Sequence, residues 1–213
     1  MPEPGTRLKL IILPLLVLAL PAATAGAAAE RSSRPAPDWI VLFDGRSKAG
    51  WAMTGPGRFR VQRGALVTSG GLGLLWYTKR RFRNFELQVD WRVAERCDNS
   101  GVFVRFPTRP RSPADAISGG YEVQIDDCDP RGLSHQTGSI YDHAPAIRLS
   151  SRTVGRWNRF HIRVVGQRYT VFLNGARVAR LDGARASLGY VGLQNHDPGS
   201  RVSFRRIRAR PLP

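Results

Sequence analysis

Gly119–Asp129 reads GGYEVQIDDCD, and Cys97–Phe106 reads CDNSGVFVRF. Both stretches alternate polar and apolar residues with a period of two, the pattern of a strand buried on one side. In the first, Glu122, Gln124 and Asp126 share one face, and Tyr121, Val123 and Ile125 share the other. In the second, Asn99, Gly101, Phe103 and Arg105 lie opposite Ser100, Val102, Val104 and Phe106. Polar side chains gathered on one face of a sheet mark that face as the place to look for chemistry.

If the two strands pair antiparallel, with Gly101 opposite Gln124 and Phe103 opposite Glu122, then Cys97 falls opposite Cys128. Directly opposed residues have Cα atoms about 4.5–5.5 Å apart, within reach of a disulfide. A Cys97–Cys128 bridge is therefore expected; the alternative is two buried thiols.

Outward from this pair, the chain is punctuated by turns. Upstream lie Trp39–Phe43, a hairpin of Phe59–Arg63 and Ala65–Thr68 around Gly64, then Leu74–Tyr77 and the alternating Phe85–Val93. Trp51 is expected to anchor a loop in the core. Downstream lie Gly138–Tyr141, Trp157–Val165, Tyr169–Leu173, Arg177–Leu181, Gly189–Gln194 and Val202–Arg208, with Asn174-Gly175 as the clearest hairpin turn. Pro107–Ser118, with three prolines, reads as a loop. No segment of useful length has a helical period. Short strands at this spacing predict an all-β sandwich or jelly roll.

The first residues read differently. Arg7 and Lys9 precede an apolar run, Leu10–Leu20, followed by small-residue cleavage candidates at Ala23–Ala27. This is the pattern of a secretory signal peptide, and the run is short for a membrane span. The expected division is residues 1–27 as signal, 28–37 as a disordered lead-in and 38–211 as one domain. No membrane span is expected after signal cleavage. The mature chain is expected in the periplasm or outside the cell, where a disulfide persists.

The 213 residues carry 33 Lys and Arg against 16 Asp and Glu, a formal charge of +17, and only Lys9, Lys48 and Lys79 are lysines. Such a balance suits anionic partners when the charge is clustered. Along the sequence the arginines are scattered, so they read as solvated faces, and no nucleic-acid partner is expected. No paired-cysteine, HxxxH or EF-hand metal spacing occurs, nor a GxSxG, P-loop or dinucleotide fingerprint.

Eight phrases occur in order: LFDGRSKAGW (Leu42–Trp51), FELQVDWR (Phe85–Arg92), NSGVFVR (Asn99–Arg105), GYEVQIDD (Gly120–Asp127), TGSIYDHAP (Thr137–Pro145), WNRFHI (Trp157–Ile162), FLNG (Phe172–Gly175) and GLQNH (Gly192–His196). With them the chain resembles the DUF1080 family, the 3-keto-disaccharide hydrolase domain. It departs from the family pattern at Asp197, usually Gly, and at Arg206, usually Asn. The resemblance implies a concanavalin A-like lectin/glucanase jelly roll. It also implies cleavage of glycosides whose sugar carries a ketone at C3, a carbohydrate substrate, and a divalent metal cation. A C3 ketone acidifies the C2 proton. A base removes it, the enolate expels the leaving group from C1, and water adds across the double bond. Such a site needs a general base and a donor or cation for the enolate oxygen. It does not need the paired carboxyls of an ordinary glycosidase.

On this reading Glu122, His196 and Arg105 are the candidate catalytic residues. Glu122 is either the base or a metal ligand; the structural alternative is an ion pair with Arg105. Gln124, Gln194, Tyr141 and Asn99 are candidate substrate contacts, each with a packing or turn role as the alternative. Glu122, Asp127 and His196 form the candidate metal set. His135 and His161 read as ordinary loop and sheet residues, and His143 as a weaker loop candidate. A non-catalytic carbohydrate-binding module of the same shape is the rival function.

Overall fold

The computed structural model describes Met1 and residues 38–213. The expected signal segment and lead-in lie outside the described residues. The domain is a sandwich of two antiparallel sheets. In chain order the strands are β1 (Ile40–Val41), β2 (Trp51–Thr54), β3 (Arg58–Gln62), β4 (Ala65–Ser69), β5 (Gly73–Tyr77), β6 (Phe85–Val93) and β7 (Ser100–Phe106). A short helix, α1 (Pro113–Gly119), precedes β8 (Tyr121–Ile125). Then follow β9 (Asn158–Val165), β10 (Arg168–Leu173), β11 (Ala176–Asp182), β12 (Tyr190–Asn195) and β13 (Val202–Pro211). The large sheet runs β11-β10-β9-β6-β13-β4-β3, with β1 also paired to β13; the small sheet runs β2-β5-β12-β7-β8. The alternating strands imply a sandwich or jelly roll, the family resemblance implies the lectin/glucanase kind, and the two sheets have that form.

The core lies between the sheets. Leu87, Val89 and Trp91 of β6, with Phe160 and Ile162 of β9, meet Val102 and Val104 of β7 and Tyr121, Val123 and Ile125 of β8. Burying a side chain of this size is worth about 1.5–3 kcal/mol. The alternation that fills the core sends Glu122, Gln124, Phe103 and Gln194 to the outer face of the small sheet.

Two differences from the sequence reading have local causes. Trp51–Thr54 is a strand pairing β5, not only a loop anchor. Trp51 is half buried and donates its indole N–H to the Leu42 carbonyl at 2.7 Å. The proline-rich connection contains α1. Pro113 stands at its first turn, where its missing N–H costs nothing. The Asp115 carboxylate accepts the N–H groups of Arg111 (2.6 Å) and Ser112 (3.2 Å). The S-P-A-D order was the available signal.

Candidate active site

The β7–β8 register is the one expected: Gly101 opposes Gln124 and Phe103 opposes Glu122. Cys97 and Cys128 are bridged, with Cα atoms 5.2 Å apart. On its other side β8 is met by a short extended segment, with Val123 opposite Ile140. The Tyr141 N–H donates to the Glu122 carbonyl at 3.0 Å, and the Gln124 N–H to the Ser139 carbonyl at 3.1 Å. Tyr141 therefore flanks Glu122, and Ser139 flanks Gln124. Toward β12, Gly192 opposes Phe103 and Leu193 opposes Val102, which sets Gln194 beside Gly101. Asn99 and Asp126 lie one row further along, and the Asn99 amide donates to Asp126 Oδ2 at 2.9 Å.

This polar patch is buried. Glu122 is 6% exposed, Gln124 3% and Gln194 5%. Glu122 Oε1, Gln124 Oε1, Gln194 Oε1, Asn99 Oδ1 and Ser139 Oγ all lack a hydrogen-bond partner. Buried polar atoms without partners are rare and costly. Five on one face describe a cradle for something rich in hydrogen-bond donors. The Glu122 carboxyl lies across Gly101, where any Cβ would overlap it, so that glycine makes the seat. Burial, with the nearby charge of Asp142 as the smaller cause, pushes the Glu122 pKa up to about 8. Burial also raises Asp126, partly offset by the Cys128 N–H that its carboxylate accepts.

The other half of the same face is apolar. Leu74, Trp76, Phe103 and Phe106 form a cluster closed by Ala116 of α1. The chemical patch is thus confined to the β8 end of the sheet.

Sequence reasoning placed Arg105 and Phe106 on the wrong faces. Arg105 does not share a face with Glu122. It is the extra residue of a β-bulge: Tyr190 opposes Phe106 while Val191 opposes Val104. Its φ is +62°, and the bulge turns Arg105 inward and Phe106 outward. Gly189 is needed opposite, because a Cβ there would overlap the Arg105 backbone. The fully buried guanidinium donates to the Gly166 carbonyl at 2.7 Å, to the Arg83 carbonyl and to the Tyr169 hydroxyl at 3.4 Å. Burial lowers its pKa. Neither the expected catalytic role nor the ion pair with Glu122 fits that position.

The three candidate metal ligands do not converge. Asp127 accepts the Ser151 hydroxyl at 2.6 Å. His196 is exposed, with Nδ1 2.9 Å from Asp197 Oδ2. Asp197 is pushed up by burial, but bonds from Ser200, His196 and Gly199 outweigh this and hold it at about 2. Among the described residues no three His, Cys, Asp or Glu side chains gather to hold an ion. The donor set expected for a divalent cation therefore does not fit.

One pair went unnoticed. His135 Nε2 lies 2.5 Å from Asp142 Oδ1, and His135 Nδ1 lies 2.8 Å from Ser134 Oγ. The imidazole packs edge-on against Tyr141, with centroids 4.9 Å apart. Arg131 donates to the Tyr141 hydroxyl at 2.9 Å. This charged cluster stands next to Glu122 because Tyr141 and Asp142 follow the segment that pairs with β8. Nothing in the His135 to Asp142 spacing announces the contact.

A jelly roll of the lectin and glucanase kind, carrying a buried carboxyl in a cradle of unpartnered acceptors, is the class that fold and site define. The chain belongs to the 3-keto-alpha-glucoside-1,2-lyase-like domain family, whose profile matches residues 38–210. It is 25% identical over 230 residues to a 3-keto-disaccharide hydrolase of Bacteroides thetaiotaomicron, covering 82% of this chain and 78% of that protein. A solved Parabacteroides distasonis protein, provisionally named a glycosyl hydrolase, superposes with a TM-score of 0.70 at 27% identity, covering 82% of this chain and all of the other. The carbohydrate-binding module CBM66 of Bacillus subtilis shares the fold, with a TM-score of 0.57 at 14% identity over 76% of this chain and 95% of that one.

Proposed function

We propose that this protein cleaves 3-keto-glycosides or 3-keto-disaccharides by proton abstraction at C2, elimination at C1 and hydration. The observation that carries the reading is the Glu122 carboxyl: buried, raised to about 8 and left with an unpartnered oxygen among other unpartnered acceptors. A base whose pKa lies near the operating pH is suited to removing a carbon-bound proton made acidic by a neighbouring ketone.

Glu122 takes the C2 proton. The side-chain amides of Gln124 and Gln194 present N–H donors to the C3 oxygen as charge gathers there. Their unpartnered oxygens, with Asn99 and Ser139, accept from sugar hydroxyls. Tyr141 borders the ring. His135, oriented by Asp142, gives a proton to the departing C1 oxygen, and His196, paired with Asp197, is the second imidazole available for that step. No step runs through a metal, because the expected ligands do not meet. Export through the amino-terminal segment belongs to the same proposal; amino-terminal sequencing of the mature protein is expected to begin between Gly26 and Ala28.

Incubation with 3-keto-trehalose or a simple 3-keto-glucoside tests the activity. Turnover that is lost in a folded Glu122→Gln protein supports it. Tight sugar binding without turnover in the parent would make the protein a binding module instead.

A further inference from the structure

The outer face of the large sheet takes no part in this chemistry, and it is built from arginine. Residues scattered through the sequence are gathered there by strand alternation. Arg159 on β9 opposes Asp90 on β6, which opposes Arg205 on β13. Arg163, Glu86 and Arg210 repeat the arrangement on the same strands.

The acids do not balance the bases. Buried Asp90 takes Arg159 at 2.6 Å, with Arg205 at 3.7 Å and Arg206 at 3.8 Å. Glu86 pairs with Arg210 and lies 3.8 Å from Arg163. Five guanidinium groups share two carboxylates.

Two tryptophans hold further charge in place. Arg92 and Arg205 lie over Trp157 at 4.7 and 4.0 Å. Arg208 and Arg210 lie over Trp39 at 4.7 and 5.0 Å. Arg208 also donates twice to Gln88 Oε1, at 3.0 and 2.7 Å. Stacked, hydrogen-bonded guanidinium planes lose little freedom when an anion arrives. A bulge in β13 places Arg206 at φ +49° and leaves its side chain 66% exposed. That backbone costs about 1 kcal/mol in a residue other than glycine. Two open grooves, of 620 and 450 Å³, meet at Arg159, Arg205 and Arg206.

We propose that this face docks a polyanionic glycan, a polysaccharide bearing carboxylates or sulfates. Charge complementarity selects an anionic partner. Among the described residues, Val41 is the one exposed large apolar side chain lining these grooves, so the face offers little to insert into a bilayer. The choice of glycan over nucleic acid rests on the carbohydrate reading of the Glu122 site. The site itself stands apart, on the opposite sheet.

The test measures binding of the full chain to polygalacturonate, heparin and neutral dextran at rising salt. The parent binds both acidic glycans, with affinity falling as salt rises, and ignores dextran. The triple variant Arg163→Gln, Arg206→Gln, Arg208→Gln binds them about tenfold more weakly or worse. A second triple, Arg81→Gln, Arg109→Gln, Arg111→Gln, removes the same charge from exposed positions elsewhere and stays within about twofold of the parent. Should the first triple melt early, Arg206→Gln alone weakens binding in a protein of parental stability. Equal losses in both triples would overturn the proposal by reducing it to net charge. So would tighter binding to duplex DNA or to phosphatidylglycerol vesicles than to either glycan, or no glycan binding at all. The first triple turns over a simple 3-keto-glucoside at the parental rate, while Glu122→Gln binds glycan normally. Failure of one reading is thereby separable from failure of the other.

Discussion

Gly101 has no side chain, and the Glu122 carboxyl occupies the space that one would take. Gly101→Ala must therefore move the carboxyl while leaving the strand pairing intact. Displacement of a catalytic group by about 1 Å can cost about a hundredfold in rate. The variant is expected to lose activity on that scale and to melt within a few degrees of the parent. An unchanged rate would remove Glu122 from the chemistry. Arg105 makes the opposite kind of prediction. Its guanidinium satisfies the Gly166 and Arg83 carbonyls deep in the sandwich. Arg105→Met leaves those acceptors bare and should cost about 2–4 kcal/mol in urea denaturation. Binding of a 3-keto-sugar by the surviving folded fraction should be unaffected.

At the scale of elements, β7 and β8 are tied at one end by Cys97–Cys128, which closes a span of 31 residues containing α1. Loop-closure entropy for that span is about 3–4 kcal/mol. Replacing both cysteines by serine should lower stability by that order. The same ends carry the Asn99–Asp126 hydrogen bond, so hydrogen exchange should rise first there. Uniform protection across β7 and β8 in the double variant would show that the bridge is incidental. These two strands were also the most legible part of the sequence. Their alternation gave the faces, and the faces gave the register and the bridge. What alternation could not reveal was the bulge, because a bulge breaks the period on which the reading depends. Arg105 and Phe106 were assigned to opposite faces from those they occupy for that one reason. Helix α1 was obscured by the prolines of the connection that holds it, and the His135–Asp142 pair by the loop that brings it round.

Over the whole molecule, the buried Glu122 links stability to pH. Its folded pKa of about 8 lies above the ordinary carboxyl value of 4.5. Between those values the folded state holds a proton that the unfolded state releases. Folding stability from this group is therefore complete below about pH 4.5 and declines as pH rises toward about 8, at up to about 1.4 kcal/mol per pH unit. Glu122→Gln cannot ionise, so its melting temperature should gain on the parent's between pH 5 and pH 8. A constant difference across that range would mean the carboxyl is not desolvated. In the parent, kcat/KM for a 3-keto-glucoside should climb as pH rises toward about 8, as the carboxylate forms. The family and its two-sheet frame could be read from eight phrases. The arginine face could not, since strand pairing, not sequence proximity, assembles it from β6, β9 and β13.

The bulge at Arg206 lifts a cation away from the sheet on the side remote from Glu122. A protein so arranged has a preferred way to sit on a negatively charged support. On a cation-exchange bead it would rest on its arginines, with the small sheet toward the flowing liquid. Immobilised enzyme prepared that way should keep its turnover, whereas random amine coupling at Lys48 and Lys79 carries no such orientation.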